Sequence, residues 1–279
     1  MTTLRRSILP ALALLSMLVS LPVSAAVVFE IETRDLTSGG EAQQGRIVVS
    51  VENMKMEMAR EADGQRADTL FRGELQEMVI IDHGERSYFV LDKQALAALG
   101  GQMSAAMKQM ETALAQLPKE QREMAERMMK QQLERAASAS GAAPTTEYTN
   151  TGERETHNGY PCVRYIGRRG TETVLEMWVT DWSNLEGGRE VASVFRSLGE
   201  FATELMESLQ QVGGPMAGAM AGSNPFDAFD NIDGFPVVTR TFSGGRPENE
   251  TSLLEVRNET IDAAEFEVPE GYRRQTMGP

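Results

Sequence analysis

The chain has 279 residues, and its 41 acidic against 27 basic side chains give a formal charge of -14. That balance excludes a nucleic-acid binder and a protein that adsorbs to anionic lipid headgroups, because both surfaces would repel it. With a single cysteine, no intramolecular disulfide can form.

The N-terminus reads as an export signal. Arg5 and Arg6 precede an apolar run from Ile8 to Leu21, and Pro22-Val23-Ser24-Ala25 supplies the small residues of a cleavage site. Cleavage is expected after Ala25, so residues 1–25 leave and residues 26–279 form the mature protein. The run is too short for a membrane span of about 20 residues. No cysteine beside the cleavage site could take a lipid. The expected location is therefore the periplasm, or the extracellular space, without a membrane anchor.

The mature chain opens with strands. VVFEIET (27–33) and GRIVVSV (45–51) are rich in β-branched residues. In MKMEM (54–58), Met54, Met56 and Met58 share one face while Lys55 and Glu57 share the other. DTLFRG, EMVIID and SYFVLD follow as a meander, with Asp82-His83-Gly84-Glu85 as a hairpin turn. Short runs separated by turns predict antiparallel pairing.

At Lys93 the period changes. Leu96, Leu99, Met103, Met107, Met110, Leu114 and Leu117 fall on one helical face. Pro118 ends that helix and suits the first turn of another, which carries Met124, Met128, Met129 and Leu133. The result is a helical hairpin over about 93–137. Ser138–Thr146 reads as a connector. Strands resume at CVRYIGR (162–168) and TVLEMWVT (173–180), and a helix follows with Val191, Val194, Leu198, Phe201, Leu205, Leu209 and Val212 in register. GGPMAGAMAGSNP (about 213–225) is expected to be a flexible glycine- and methionine-bearing loop. FPVVTRTF and TSLLEVRNETI form a last hairpin before FEVPEGYRRQ.

The order of these pieces, with NGYPCVRYIGRRGTETVLEMWVTDW and the closing IDAAEFEVPEGY, resembles the bacterial exported family called domain of unknown function 4412. More distantly it is similar to the LolA/LolB-type lipoprotein carriers. The resemblance implies a single α+β domain: a curved antiparallel sheet, an open half-barrel, with helices on its concave side. In the carriers that cavity receives acyl chains. The family supplies no activity to carry over.

The residues themselves carry no catalytic signature. There is no G-x-S-x-G, no H-E-x-x-H and no phosphate-cradling glycine loop, so no enzyme and no cofactor are expected. His83 and His157 read as surface turn residues, and Cys162 as a small buried apolar side chain. Three uses of the methionines stay open. Met54, Met56 and Met58 facing Met103, Met107 and Met110 could line an adaptable pocket for a lipid, an acyl chain or an envelope partner protein. Met103, Met107 and Met110 could hold Cu(I) through soft thioether sulfurs, though neither histidine nor cysteine lies near to strengthen such a site. Or the core is filled, and the hairpin is an interaction module with an exposed apolar face.

Overall fold

The computed structural model describes residues 23–58, 66–116, 146–221 and 232–276, with scattered positions between 118 and 128. The N-terminal meander comprises β1 (Val23–Asp35), β2 (Gln43–Val49), β3 (Asn53–Met58), β4 (Ala67–Arg72), β5 (Glu77–Asp82) and β6 (Ser87–Leu91). Helix α1 (Lys93–Ala115) follows, then β7 (Glu147–His157), β8 (Tyr160–Arg169) and β9 (Glu172–Thr180). Helix α2 (Gly188–Ala221) precedes β10 (Phe235–Ser243), β11 (Arg246–Asp262) and the two-residue β12 (Arg273–Arg274). The twelve strands among the described residues form one unclosed sheet in the order β12-β6-β5-β4-β3-β2-β1-β11-β10-β9-β8-β7.

Two meanders meet at β1, which pairs with β2 on one side and with the long β11 on the other. Every pairing is antiparallel except that of β12 with β6. Register breaks at Glu30/Ile31, Pro236/Val238, Asn150/Arg154 and Gly167/Arg168 add local twist, which curves so large a sheet.

One face carries the main core. Val27, Phe29, Val49, Met54, Phe71, Val237 and Leu253 from the strands pack against Val191, Val194, Phe195, Leu198, Phe201 and Leu205 of α2. The helix presents these residues because they recur at three- and four-residue spacing. Phe29 stacks on Phe235 with ring centroids 4.8 Å apart, and Phe195 meets both rings edge-on. Phe71 and Phe201 lie 5.6 Å apart. Leu96, in the first turn of α1, joins the same cluster, and Lys93 pairs with Glu204 of α2 at 2.7 Å.

The entry into α2 depends on two glycines. A Cβ on Gly187, which has φ +65°, would fall 2.5 Å from a Val27 methyl. One on Gly188 would fall 2.1 Å from the Trp182 carbonyl oxygen. Asp181 caps the preceding 3-10 turn, Trp182–Asn184, by accepting from the Ser183 backbone N–H at 2.8 Å.

The opposite face has smaller apolar patches joined by charge. Ala26, Val28, Val48 and Ile261 form one patch with Phe266, and Leu70, Val79 and Ile81 form another. After β11 the chain crosses this face as a strap, from the 3-10 turn Ala263–Phe266 to β12 on the edge of β6. Val268 and Tyr272 of the strap pack on the second patch.

Several expectations are altered. β1 begins at Val23, so Val23–Ala25 of the expected signal segment pair with Thr260–Asp262 in the full chain. Residues 1–22, which hold the rest of that segment, lie outside the described residues. β7 is an additional strand: EYTNTGERETH has almost no apolar side chain, and it forms because β8 offers it a paired edge. Where a loop was expected at about 213–225, α2 instead runs through Gly213-Gly214-Pro215 to Ala221. Proline inside a helix costs about 3 kcal/mol. Helix-favouring Met216, Ala217, Ala219, Met220 and Ala221 work in the other direction. Residues 222–225 lie outside the described residues, as does most of the expected second arm of the helical hairpin. The positions described there are helical, and the Arg122 backbone N–H donates to the Pro118 carbonyl at 3.0 Å.

Candidate binding surface

The six methionines singled out by spacing fall into two groups. Met54 and Met56 do project from β3 to the helix-covered face. Met54 is wholly buried opposite Phe71 on the neighbouring strand, and Met56 is partly buried against the same cluster. Met54 is therefore part of the core, where its unbranched side chain packs readily among residues of other shapes. Met58 ends β3, and Met103, Met107 and Met110 lie on α1; their side chains are outside the described residues.

Two methionines not counted in that set stand out. Met124 and Met128, four residues apart on the helical segment after Pro118, are 66% and 65% exposed. Residues at i and i+4 share one helical face. Their exposure puts two apolar side chains together at the surface. The spacing showed them as helical; only the structure shows them outside the core.

Clefts lie between described residues at several places on the sheet. A cleft of about 620 Å³ opens between β8, β9 and the β10–β11 turn, and is lined by Arg164, Arg168, Glu176 and Phe242 among others. Two of its charged residues are paired: Arg164 donates to both Glu153 and Glu176, and Glu176 also accepts from Arg240, which donates to Glu250 as well. A second, of about 310 Å³, runs past Cys162, Pro161 and Asp181. A third, also about 310 Å³, lies between the β2–β3 and β4–β5 turns and α2.

The histidines are not free turn residues. His83 lies with Nδ1 2.8 Å from the Tyr272 hydroxyl and Nε2 2.9 Å from Oδ2 of the buried Asp68. It thereby links the strap to β4. Lys55 Nζ reaches Glu57 at 2.7 Å, Glu265 at 3.0 Å and Asp68 at 3.5 Å. Burial works against the Lys55 charge, but hydrogen bonds to Glu57 and Glu265 outweigh it and hold the ammonium above its ordinary value. Arg72 donates to the Phe266 carbonyl oxygen and to Glu267 at 3.2 and 3.1 Å. This constellation fastens the strap. His157 packs against Trp178 with the rings tilted by 41° and their centroids 4.6 Å apart. Cys162 is buried, and burial pushes its thiol up, so it stays protonated and donates to the Tyr160 carbonyl.

No group of three or more His, Cys, Asp or Glu among the described residues could hold a metal ion. Among the same residues, no helix is long and apolar enough to cross a membrane.

No curated protein matches the chain. Among solved structures it is similar to an uncharacterized conserved protein from Thermus thermophilus, at 7% identity and TM-score 0.43, with 90% of each chain covered. It is similar to a chain of the Pseudomonas aeruginosa MucA/MucB complex at 10% identity and TM-score 0.35, covering 88% of this chain and 56% of that one. A third similar structure is MucB in complex with MucA(peri), at 10% identity and TM-score 0.34, with 88% and 54% covered. The chain spans little more than half the length of those last two. Residues 93–272, from the start of α1 into the C-terminal strap, match the family described as Domain of unknown function (DUF4412), and the chain belongs to that family.

Proposed function

We propose that this is an exported, non-catalytic binding protein that docks an apolar segment of an envelope partner on its methionine-bearing helical hairpin. The observation that carries the reading is the contrast between Met54, wholly buried, and Met124 and Met128, exposed together on one helical face. Exposed apolar patches mark interaction sites. Methionine suits such a patch because its unbranched, polarizable side chain repacks around partners of varied shape. In this reading the helix-covered face is the concave side of a LolA-like half-barrel already closed by α2. Met54 and Met56 then hold the scaffold, and ligand contact passes to the hairpin.

The test is native mass spectrometry of the protein purified from its own envelope, beside the Met124→Ser/Met128→Ser double variant. A polypeptide mass carried by the parent and lost from the variant supports the reading. A lipid mass carried equally by both proteins would move the site back to the half-barrel. Bound copper would move it to Met103, Met107 and Met110. An apo mass for the parent would remove the reading.

A further inference from the structure

We propose that Met124 and Met128 form a reversible oxidation site: hydrogen peroxide converts both thioethers to sulfoxides and turns the apolar face they share into a polar one. That this switches partner docking rests on the reading above; the chemistry of the site does not.

Sulfur is divided sharply between the inside and the outside of this fold. Met54, Met78 and Met177 are buried, Met54 completely. Cys162 is buried too, and burial keeps its thiol protonated, so little thiolate is present to meet an oxidant. As the single cysteine it has no intramolecular partner with which to form a disulfide. Met124 and Met128 are 66% and 65% exposed. A dissolved oxidant reaches these two sulfurs directly, whereas it reaches the buried ones only when the fold opens.

The step is balanced. A sulfur lone pair attacks one oxygen of the peroxide, the S–O bond forms and the O–O bond breaks, and the remaining oxygen leaves as water with both protons. Sulfur loses two electrons and the peroxide gains them. A dithiol reductase reverses the change, releasing the oxygen as water and ending as a disulfide.

The consequence follows from position. Residues four apart share one helical face, so the two sulfoxides fall in the same patch. A sulfoxide oxygen covered by an apolar partner would lose its water without gaining a donor, which opposes docking. The fold itself is spared, because neither side chain belongs to the buried core. Leucine at both places would offer a similar apolar area and be inert to peroxide; methionine makes the face switchable.

The test is peptide-mapping mass spectrometry of the full chain during exposure to dilute hydrogen peroxide, with retention on a phenyl matrix as a partner-free measure of the surface. Met124 and Met128 are expected to oxidise at least about tenfold faster than Met54, Met78 and Met177, a ratio set by how rarely the fold opens. The oxidised protein should elute earlier, unfold at the same urea concentration, and recover its retention after treatment with methionine sulfoxide reductases of both stereospecificities. Met124→Leu/Met128→Leu should keep the parent's retention and lose the response to peroxide. Equal rates at the buried methionines, unchanged retention, or a full response in the double Leu variant would overturn the proposal. Native mass spectrometry separates the docking reading. A polypeptide lost from the oxidised parent but kept by the peroxide-treated Leu variant supports the switch, and one kept by the oxidised parent overturns it. If the untreated parent carries no polypeptide, the docking reading and its switch fall together, and the oxidation site still stands or falls on its rates and retention.

Discussion

The two faces of the sheet are closed in different ways, and β3 shows both. Met54 and Met56 point to α2 and enter a continuous apolar core, whereas Lys55 and Glu57 point the other way into ion pairs. A long amphipathic helix covers enough apolar area to hold its face without directional bonds. The strap cannot, because a single extended segment buries little. It compensates with specific contacts: Glu265 to Arg46 and Lys55, Phe266 and Glu267 to Arg72, Tyr272 to His83, and backbone pairing at Arg273 and Gln275. Area holds one face and geometry the other.

If so, truncation should be most damaging on the helix-covered face. Phe29→Ala removes a fully buried ring from between Phe195 and Phe235, and is expected to lower unfolding stability by about 3–5 kcal/mol in urea titration. A loss below about 1 kcal/mol would mean the core is not filled. On the strap face the sensitive residue should be charged. Lys55→Ala leaves Glu57, Glu265 and buried Asp68 without their shared cation, with an expected loss of about 3 kcal/mol. Exchanging Lys55 for Met and Asp68 for Leu together should restore much of that loss, because a matched apolar pair needs no neutralisation.

Smaller effects sharpen the contrast. Tyr272→Phe keeps the ring on Leu70 and Val79 but removes the hydroxyl that meets His83. About 1 kcal/mol should go, with faster amide exchange at Arg273 and Gln275 and none at Leu198. Met124→Ser/Met128→Ser, on neither face, should change stability by no more than about 0.5 kcal/mol while abolishing partner binding. Asp35 tests a loop that belongs to neither face. Hydrogen bonds from Thr37 and Ser38 hold its carboxyl well below the usual carboxylate range. A depressed carboxyl contributes stability above its ordinary range, and that contribution is lost as pH falls. The difference in stability between the parent and Asp35→Asn should therefore shrink steadily on acidification, as read from thermal unfolding.

Much of this molecule is legible in its residue order. Alternation in MKMEM and the turn at Asp82–Glu85 placed β3, β5 and β6, and the change of period at Lys93 placed the start of α1. Those signals are local: a strand with one buried face, or a helix with one apolar stripe, records its periodicity in its own residues. β7 left no such record, since an edge strand exposed along nearly its whole length needs no apolar alternation. The candidate surfaces were less legible still. Met124 and Met128 have the spacing of any apolar helical face, and only their exposure separates them from core residues such as Met54. His83 looked like a turn residue because Asp68 and Tyr272 come to it from 15 and 189 positions away.

By itself, then, the sequence determined the antiparallel meanders, the two amphipathic helices, the acidic surface and the family, because each depends on local period or composition. Only the tertiary structure decided that Met54 is core while Met124 and Met128 face outward. It alone made the C-terminal stretch a strap and tied the turn at Gly73 to the turn at Glu52. Those outcomes turn on which distant residues meet, and burial is a property of the meeting rather than of the residue.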